Sequence, residues 1–167
     1  VPDDDVLLAR MCFLSEHDLA LINKHRRPAN RLGFAVLLCY LRGSGFPPDK
    51  NISPHDGVVS RLAAHLKLQP DLWAEYASRE VTRWEHLAEL YRYLELSPFN
   101  RALQKTCIRH LYPHAMRTDK GFLLAEEMLS WLHNKNVIFP SVDVIERTLA
   151  EAATLADRAV FSALTAQ

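Results

Sequence analysis

Glycine and cysteine are scarce in this chain of 167 residues, which has five glycines and three cysteines. The cysteines, Cys12, Cys39 and Cys107, are odd in number and lie far apart in apolar surroundings. Such spacing does not form a disulfide framework and indicates buried thiols in a reducing compartment. The chain also lacks a Walker loop, a dinucleotide-binding fingerprint and a nucleophile elbow. The chain therefore has none of these common sequence motifs of nucleotide-binding and hydrolytic enzymes.

Long apolar runs are missing as well. The longest, Phe34 to Leu41, is much shorter than the roughly 20 residues that a membrane-spanning helix needs, so we expect no membrane partner. The chain begins with the acidic segment Val1 to Asp5, which does not resemble a signal peptide. It does not begin with methionine, which indicates a processed product or a piece of a longer protein. Hydrophobic residues make up 49% of the chain, enough to bury the core of one domain or of two small ones.

Acidic residues are absent from two long windows, although the whole chain balances 20 Lys and Arg against 20 Asp and Glu. The first window runs from Leu19 to Pro48 and the second from Ser97 to Thr118. A random stretch of about thirty residues at this composition should contain roughly three or four acids. If folding brings the windows to one face, that face can hold a polyanion. The charge pattern therefore indicates binding rather than catalysis.

The spacing of apolar residues predicts an all-α fold, a compact array of about eight helices that could form two helix-turn-helix-like halves. Ser15 and Asp18 match a capping box at the start of one helix. Pro28 suits the first turn of the next helix, which should run to about Arg42. Because this helix is apolar on nearly all sides, we expect it to be the central one.

Two Ser-Pro pairs predict further helix starts, at Ser53 and at Ser97. Pro113 is expected to bend or end the helix that follows Ser97. A domain boundary falls near the second pair, which divides the chain into a first DNA-binding module, residues 1–96, and a second helical module packed on it, residues 97–167.

Histidines and carboxylates are the residues of this chain that could bind a metal or act as catalysts. The best metal constellation is Cys107, His110 and His114, which helical spacing places on one face. Pro113 is expected to distort that face, and no glutamate follows His110 as the zinc-protease pattern requires, so we predict no metal site. The adjacent acids at Glu126-Glu127 and Asp3 to Asp5 indicate solvated faces or a tail. We therefore predict no catalytic residues and no cofactor, and we expect that the chain is not an enzyme by itself.

Basic residues in and beside the acid-free windows are the candidate DNA contacts. One surface arginine is usually only solvated, whereas clustered cations without acids raise the local positive potential. Arg26, Arg27 and Arg31 also lie at a loop-to-helix junction, where backbone N–H groups and the helix dipole add positive charge. Asn30 either reads adenine or caps this helix. The predicted DNA-binding residues are Lys24, Arg26, Arg27, Asn30, Arg31, Arg42, Arg101, Lys105, Arg109, Arg117 and Lys120. By contrast, Arg79, Arg83 and Arg92 share a predicted helix with four glutamates, which favours a salt-bridged solvent face.

Five segments stand in a distinctive order and spacing: Leu14 to Ile22, Asn30 to Arg42, Thr82 to Leu87, Ala115 to Asp119 and Pro140 to Arg147. Together they closely resemble the amino-terminal region of transposases of the Tn-three family, the replicative class II bacterial transposons. The resemblance extends from about Phe13 to the end of the chain. One departure is Trp84, which stands where relatives often have a basic residue and is expected to be a core residue.

The resemblance implies that this chain is the DNA-recognition part of a much longer transposase. In that family, amino-terminal helical modules recognise the terminal inverted repeats of the transposon. A distant carboxy-terminal domain with an RNase H-like fold holds the acidic triad that cuts and joins DNA, so Mg²⁺ is expected only there. The implied partners are double-stranded DNA carrying the inverted repeats, the remainder of the transposase chain and, in the full-length protein, a second copy. The implied location is the bacterial cytoplasm, at the nucleoid.

The competing hypothesis is a helical protein-interaction or dimerisation domain. The predicted last helix, which begins after Ser141, carries alanines at steps of three and four that permit close approach of another helix. Because this seam is short and rich in alanine, packing within the chain is favoured over a dimeric coiled coil.

Overall fold

The computed structural model describes residues 5–48 and 53–165. This part of the chain contains nine α-helices and, apart from one isolated bridge, no β-structure, which confirms the predicted all-α fold. The predicted acidic tail at Asp3 and Asp4 lies outside the described residues. The chain divides into two compact units, Val1–Leu94 and Glu95–Gln167. The helices are α1 (Asp5–Met11), α2 (Glu16–Ile22), α3 (Pro28–Ser44), α4 (Asp56–Leu66), α5 (Leu72–Ala77), α6 (Glu80–Tyr93), α7 (Arg101–Ala115), α8 (Gly121–Asn134) and α9 (Val142–Thr165).

Helix α3 is the centre of the first unit, as predicted. Every residue from Leu32 to Leu41 is buried, and the helix packs against α1, α2, α4, α5 and α6. Pro28 is the first residue of the helix. Its missing N–H costs no hydrogen bond there, because the N–H groups of the first turn have no partner within the helix. The helix ends at Ser44 because Gly45 adopts the left-handed conformation, with φ of 77°, and its N–H donates to the Leu41 carbonyl.

A close approach between α3 and α5 occurs at Gly33. A Cβ atom on this residue would overlap the ring atoms Cγ, Cδ1 and Cδ2 of Tyr76, far inside van der Waals contact. The Tyr76 side chain is fully buried, and its hydroxyl lies 3.1 Å from Nδ1 of His86. The packing of these two helices therefore requires glycine at this position.

Four rings, His25, Phe34, Tyr76 and His86, form a cluster in the core of the first unit. The ring centroids of His25 and His86 are 4.3 Å apart, and Tyr76 stacks on His86 at 5.5 Å. Burial, with a smaller contribution from His25, lowers the pKa of His86 to about 4. Burial also lowers the pKa of His25, against the attraction of Glu89. Both imidazoles are therefore neutral at pH 7.

We expect the first unit to lose stability as the pH falls from about 6.5 to about 4. A histidine with a depressed folded pKa binds a proton more readily in the unfolded chain, so acid favours unfolding. For His86 alone, the loss at pH 5 relative to neutral pH is about 2 kcal/mol. Urea unfolding at a series of pH values measures this loss. The variant His86→Phe should show a much flatter profile, and an equally steep profile in both proteins would contradict the assignment.

The start of α4 differs from the prediction. The helix begins at Asp56 rather than behind a Ser53 cap, because His55 is the N-cap residue and its Nδ1 accepts a hydrogen bond from the Gly57 N–H at 3.1 Å. The sequence also failed to predict α1. Leu8 is the only buried residue that this helix contributes, and one buried position gives no periodic signal.

The second unit consists of α7, α8 and α9, and here too the Ser-Pro prediction is wrong. Helix α7 begins after Asn100, whose side-chain oxygen accepts a hydrogen bond from the Leu103 N–H at 3.0 Å. Ser97 is instead part of an isolated parallel bridge. Its N–H donates to the Asn136 carbonyl at 2.8 Å, and its carbonyl accepts from the Ile138 N–H at 2.9 Å.

The sequence predicts that Pro113 bends or ends α7. It does not end the helix, which continues to Ala115. The proline lies in the last turn, where it removes a single hydrogen-bond donor from the helix. Helix α9 packs along α7 and buries Ala152 and Ala156, so this part of its small-residue seam is used within the chain, as the sequence favours. The end of the seam, at Ala163, is exposed. None of the helices in the described ranges has both the length and the hydropathy that crossing a bilayer would require.

Candidate nucleic-acid interface

Three exposed cations, Lys24, Arg26 and Arg27, lie in the connection between α2 and α3. Asn23 closes α2, and Arg27 is the N-cap residue of α3. Within the described residues, none of the three forms a salt bridge. The connection therefore presents to solvent three cations that pair with no carboxylate of the described residues.

The first turn of α3 adds polar groups beside these cations. No side chain caps this helix, and the first N–H groups of a helix carry partial positive charge. Asn30 and Arg31 are half-buried in this turn. Oδ1 of Asn30 and Nε of Arg31 are buried and have no hydrogen-bond partner among the described residues. Asn30 therefore does not cap α3, which was one of the two roles predicted for it.

Arg42, also predicted as a DNA contact, has a structural role instead. Its Nη1 donates to Oδ2 of Asp18 at 3.0 Å and its Nη2 to Oδ1 at 2.7 Å. Asp18 is fully buried and also accepts hydrogen bonds from the Tyr93 hydroxyl and the Ser15 N–H, each at 2.8 Å. Burial alone would raise the pKa of Asp18, but these hydrogen bonds hold it well below its usual value. Because its charge is neutralised by Asp18, Arg42 would attract a phosphate only weakly, and it does not belong to the candidate interface.

The second unit carries a row of cations along α7, formed by Arg101, Lys105 and Arg109. Residues four apart lie on one face of a helix, and all three side chains are exposed. None of them pairs with a carboxylate of the described residues, and Arg109 donates to the Thr106 hydroxyl at 3.3 Å. We call these three residues the α7 row.

Arg147 of α9 joins one end of the α7 row. It lines a cleft of about 630 Å³ together with Arg101 and Lys105, and Glu151 also lines that cleft. The sequence does not single out Arg147, because Glu146 is its direct neighbour and the acid-free windows end before it. The cleft brings together three cations and one acid, which leaves it a net positive lining.

Arg117 and Lys120 are exposed in the connection between α7 and α8. They line a cleft of about 770 Å³ that also contains Asp119 and Asp157. These carboxylates reduce the local positive potential, so Arg117 and Lys120 are weaker candidates than the α7 row.

Helix α6 does not add to the interface. Arg79 pairs with Glu75 at 3.3 Å, and Arg83 donates to the Pro48 carbonyl. Trp84, expected in the core, is 65% exposed, so that expectation is wrong. The guanidinium groups of Arg79 and Arg83 are bound within the first unit.

Comparison with known proteins gives the family of the chain. A family model described as a domain of unknown function, DUF4158, matches residues 1–152. The chain belongs to the DUF4158 family. This DUF4158 chain is 80% identical over 167 residues to the transposase for transposon Tn2501 from Escherichia coli. It is also 39% identical over 164 residues to the transposase for transposon Tn501 from Pseudomonas aeruginosa, and 30% identical over 162 residues to the transposase for transposon Tn1546 from Enterococcus faecium.

The matches cover nearly all of this DUF4158 chain but little of its relatives. The three alignments include 100%, 98% and 97% of the chain, against 17%, 17% and 16% of the matched proteins. They confirm the predicted resemblance to transposases of the Tn-three family. As predicted, these residues correspond to part of a transposase and not to the whole enzyme.

Proposed function

We propose that this DUF4158 chain binds double-stranded DNA at the terminal inverted repeats of its transposon, as the non-catalytic part of a transposase for replicative transposition. One observation in each unit supports the proposal: an exposed cluster of cations that has no acidic partner among residues 5–48 and 53–165. One cluster lies between α2 and α3, and the other lies along α7. The relatives support it, because a transposase has to recognise the ends of the DNA that it moves. We assign the cutting and joining of DNA, with its Mg²⁺, to the remainder of the transposase chain.

In this proposal the two units contact separate segments of one terminal repeat. Arginine grips a phosphate with two parallel hydrogen bonds, whereas lysine supplies a point charge. Lys24, Arg26 and Arg27 would hold phosphates beside the uncapped N–H groups of α3. The α7 row spans about 12 Å, which is long enough to contact more than one phosphate. Arg31 is the stronger candidate for a base contact, because Oδ1 of Asn30, which adenine recognition needs, is buried. A helix-turn-helix-like docking of either unit remains a prediction.

We expect the logarithm of the affinity for a terminal-repeat duplex to fall linearly with the logarithm of salt concentration. Replacing Lys24, Arg26 and Arg27 by glutamine removes three phosphate contacts, so the slope should become shallower by about 2.7. The same replacement of the α7 row should have a similar effect. Fluorescence anisotropy with a labelled duplex at several salt concentrations measures both slopes.

The matched control removes three arginines that are engaged with other groups: Arg61, Arg79 and Arg92 to glutamine. Arg61 pairs with Asp5 at 2.8 Å and Arg79 with Glu75 at 3.3 Å, and Nε of Arg92 donates to the Ala88 carbonyl at 3.3 Å. The slope should stay close to that of the wild type. The proposal fails if the wild type does not bind the repeat duplex at low salt, or if the control lowers the slope as much as the two cluster variants do.

The alternative, a protein-interaction or dimerisation domain, is favoured by one observation. Val160, Phe161 and Leu164 near the end of α9 are 44%, 72% and 70% exposed. Such residues could bind the remainder of the transposase chain or a second copy. Size-exclusion chromatography over a range of concentrations separates the hypotheses. A dimer that forms without DNA and shows no DNA binding supports the alternative, and a monomer that binds the repeat duplex contradicts it.

A further inference from the structure

His110, His114 and Glu127 converge in the second unit, outside the groups that the proposed function uses. Each residue offers one ligand atom, and these three atoms all lie within 4.8 Å of one another. Two imidazole nitrogens and one carboxylate oxygen form a ligand set that zinc enzymes use, with a further position for water or another ligand. The cluster therefore has the donor atoms of a transition-metal site.

Local structure brings the two histidines together because α7 continues past Pro113. His110 and His114 are four residues apart in this helix, so both side chains lie on the same face. The sequence predicts no metal here, in part because a proline between the two histidines is expected to distort that face. The structure removes this objection, since the proline is accommodated in the last turn of α7.

The third ligand comes from the neighbouring helix α8. Oε1 of Glu127 lies 2.8 Å from Nε2 of His110 and 3.8 Å from Nε2 of His114. A tetrahedral zinc ion with bonds of about 2.0–2.1 Å holds its ligand atoms roughly 3.3–3.5 Å apart. The distance from Oε1 of Glu127 to each of the two histidine nitrogens is therefore within about 0.5 Å of this separation.

The surroundings favour a site that is accessible yet ordered. The side chains of His110, His114 and Glu127 are 33%, 41% and 35% exposed, so an ion and a water molecule can reach them. The Trp131 ring stacks on His110 with centroids 5.7 Å apart, which restricts the rotation of that imidazole. A restricted ligand loses less conformational entropy when it binds a metal.

We infer that His110, His114 and Glu127 form a Zn²⁺ site that links α7 to α8. Imidazole and carboxylate ligands in a tetrahedral arrangement suit zinc better than Mg²⁺ or Ca²⁺, which prefer oxygen ligands. The bound ion fixes the two helices on either side of the connection that carries Arg117 and Lys120. It also places positive charge in a cleft of about 550 Å³ that His114, Glu127 and Arg117 line together. This inference does not depend on the DNA-binding proposal.

Zinc titration of the metal-stripped, tag-free chain tests the inference. With ZnCl₂ and a chromophoric chelator as competitor, one equivalent of Zn²⁺ should bind per chain. His114→Ala and Glu127→Gln should each lower the affinity at least about 10- to 100-fold, since loss even of a residue that only supports a ligand has effects of this size. The matched controls are His133→Ala and Glu126→Gln, which change an exposed histidine and an exposed acid of α8. Both controls should bind zinc as the wild type does.

A second measurement uses the wild type alone and so does not depend on how the variants fold. In long-range ¹H–¹⁵N spectra, one equivalent of Zn²⁺ should shift the Nε2 signals of His110 and His114 and leave His133 unchanged. The inference is overturned if the wild type binds no zinc, if binding survives both ligand variants, or if the imidazole shifts fall on other histidines.

Discussion

The variant Gly33→Ala should strongly destabilise the first unit. The added methyl group would overlap the ring of Tyr76, and that ring cannot move aside because it is fully buried and stacked on His86. Overpacking in cores typically costs about 1–3 kcal/mol, and an overlap with a fixed ring should exceed about 4 kcal/mol. A domain has only about 5–15 kcal/mol of stability in total. Urea unfolding followed by circular dichroism measures the loss.

Gly121→Ala is the matched control for this experiment. Gly121 is also helical, but a Cβ atom there would meet no heavy atom within 4 Å. Alanine should be neutral or stabilise the chain by up to about 1 kcal/mol, because it restricts the unfolded chain. The double variant Gly33→Ala with Tyr76→Ala should lose less than the sum of the two single losses, since removing the ring removes the overlap. An unfolding midpoint for Gly33→Ala equal to that of the wild type would refute the packing argument.

Arg42→Ala should have the second-largest effect, a loss of about 2–3 kcal/mol in the free energy of unfolding. The substitution leaves the Asp18 carboxylate buried without its cation. Among the described residues, the Tyr93 hydroxyl and the Ser15 N–H still donate hydrogen bonds to it. Breaking a fully buried ion pair costs about 3–5 kcal/mol, and the 38% exposure of the Arg42 side chain places this pair below that range. Thermal or urea unfolding at pH 7 measures the loss.

The effect of Arg42→Ala should depend on pH in a defined direction. A carboxyl whose folded pKa is depressed contributes stability above its unfolded pKa, and that contribution is lost as the pH falls through the lower folded value. The wild type and the variant should therefore begin to converge in stability as the pH falls below about 4, and they should meet only below the folded pKa of Asp18. Arg61→Ala is the control, because its partner Asp5 is 91% exposed and such surface pairs contribute about 0–1 kcal/mol. A constant difference at all pH values would show that Arg42 acts through packing rather than through the charge of Asp18.

Features set by neighbouring residues could be predicted from the sequence. The capping box of α2 forms as expected, with the Ser15 hydroxyl accepting from the Asp18 N–H at 3.2 Å. The apolar run of α3 predicts a central helix, and the structure buries this run in the core of the first unit. The helix is ended by a glycine, Gly45. In each case the signal and its structural result lie within a few residues of each other. The two Ser-Pro starts failed because nearby groups, His55 and Asn100, compete for the same helix termini and make the capping bonds.

Features that join distant parts of the chain could not be predicted. Asp18 neutralises Arg42 across 24 residues, from a position just before the first acid-free window. Glu127 comes from another helix to meet His110, and the sequence offered no reason to pair them. A count of charges along a sequence shows which acids are near in the chain but not which are near in space. Of the cations predicted from the sequence, those of the α2–α3 connection and of the α7 row therefore belong to the candidate interface, whereas Arg42 does not.

The α7 row has a consequence for the helix that carries it. Like charges four residues apart repel each other and weaken a helix by a few tenths of a kcal/mol per pair. A polyanion that neutralises Arg101, Lys105 and Arg109 relieves this repulsion, so part of its binding energy appears as extra stability of the second unit. In the absence of such a ligand, the repulsion between these charges lowers the free energy of unfolding of the second unit. Melting temperature and affinity for polyanions are then linked quantities in this unit, and a change to the row alters the two in opposite directions.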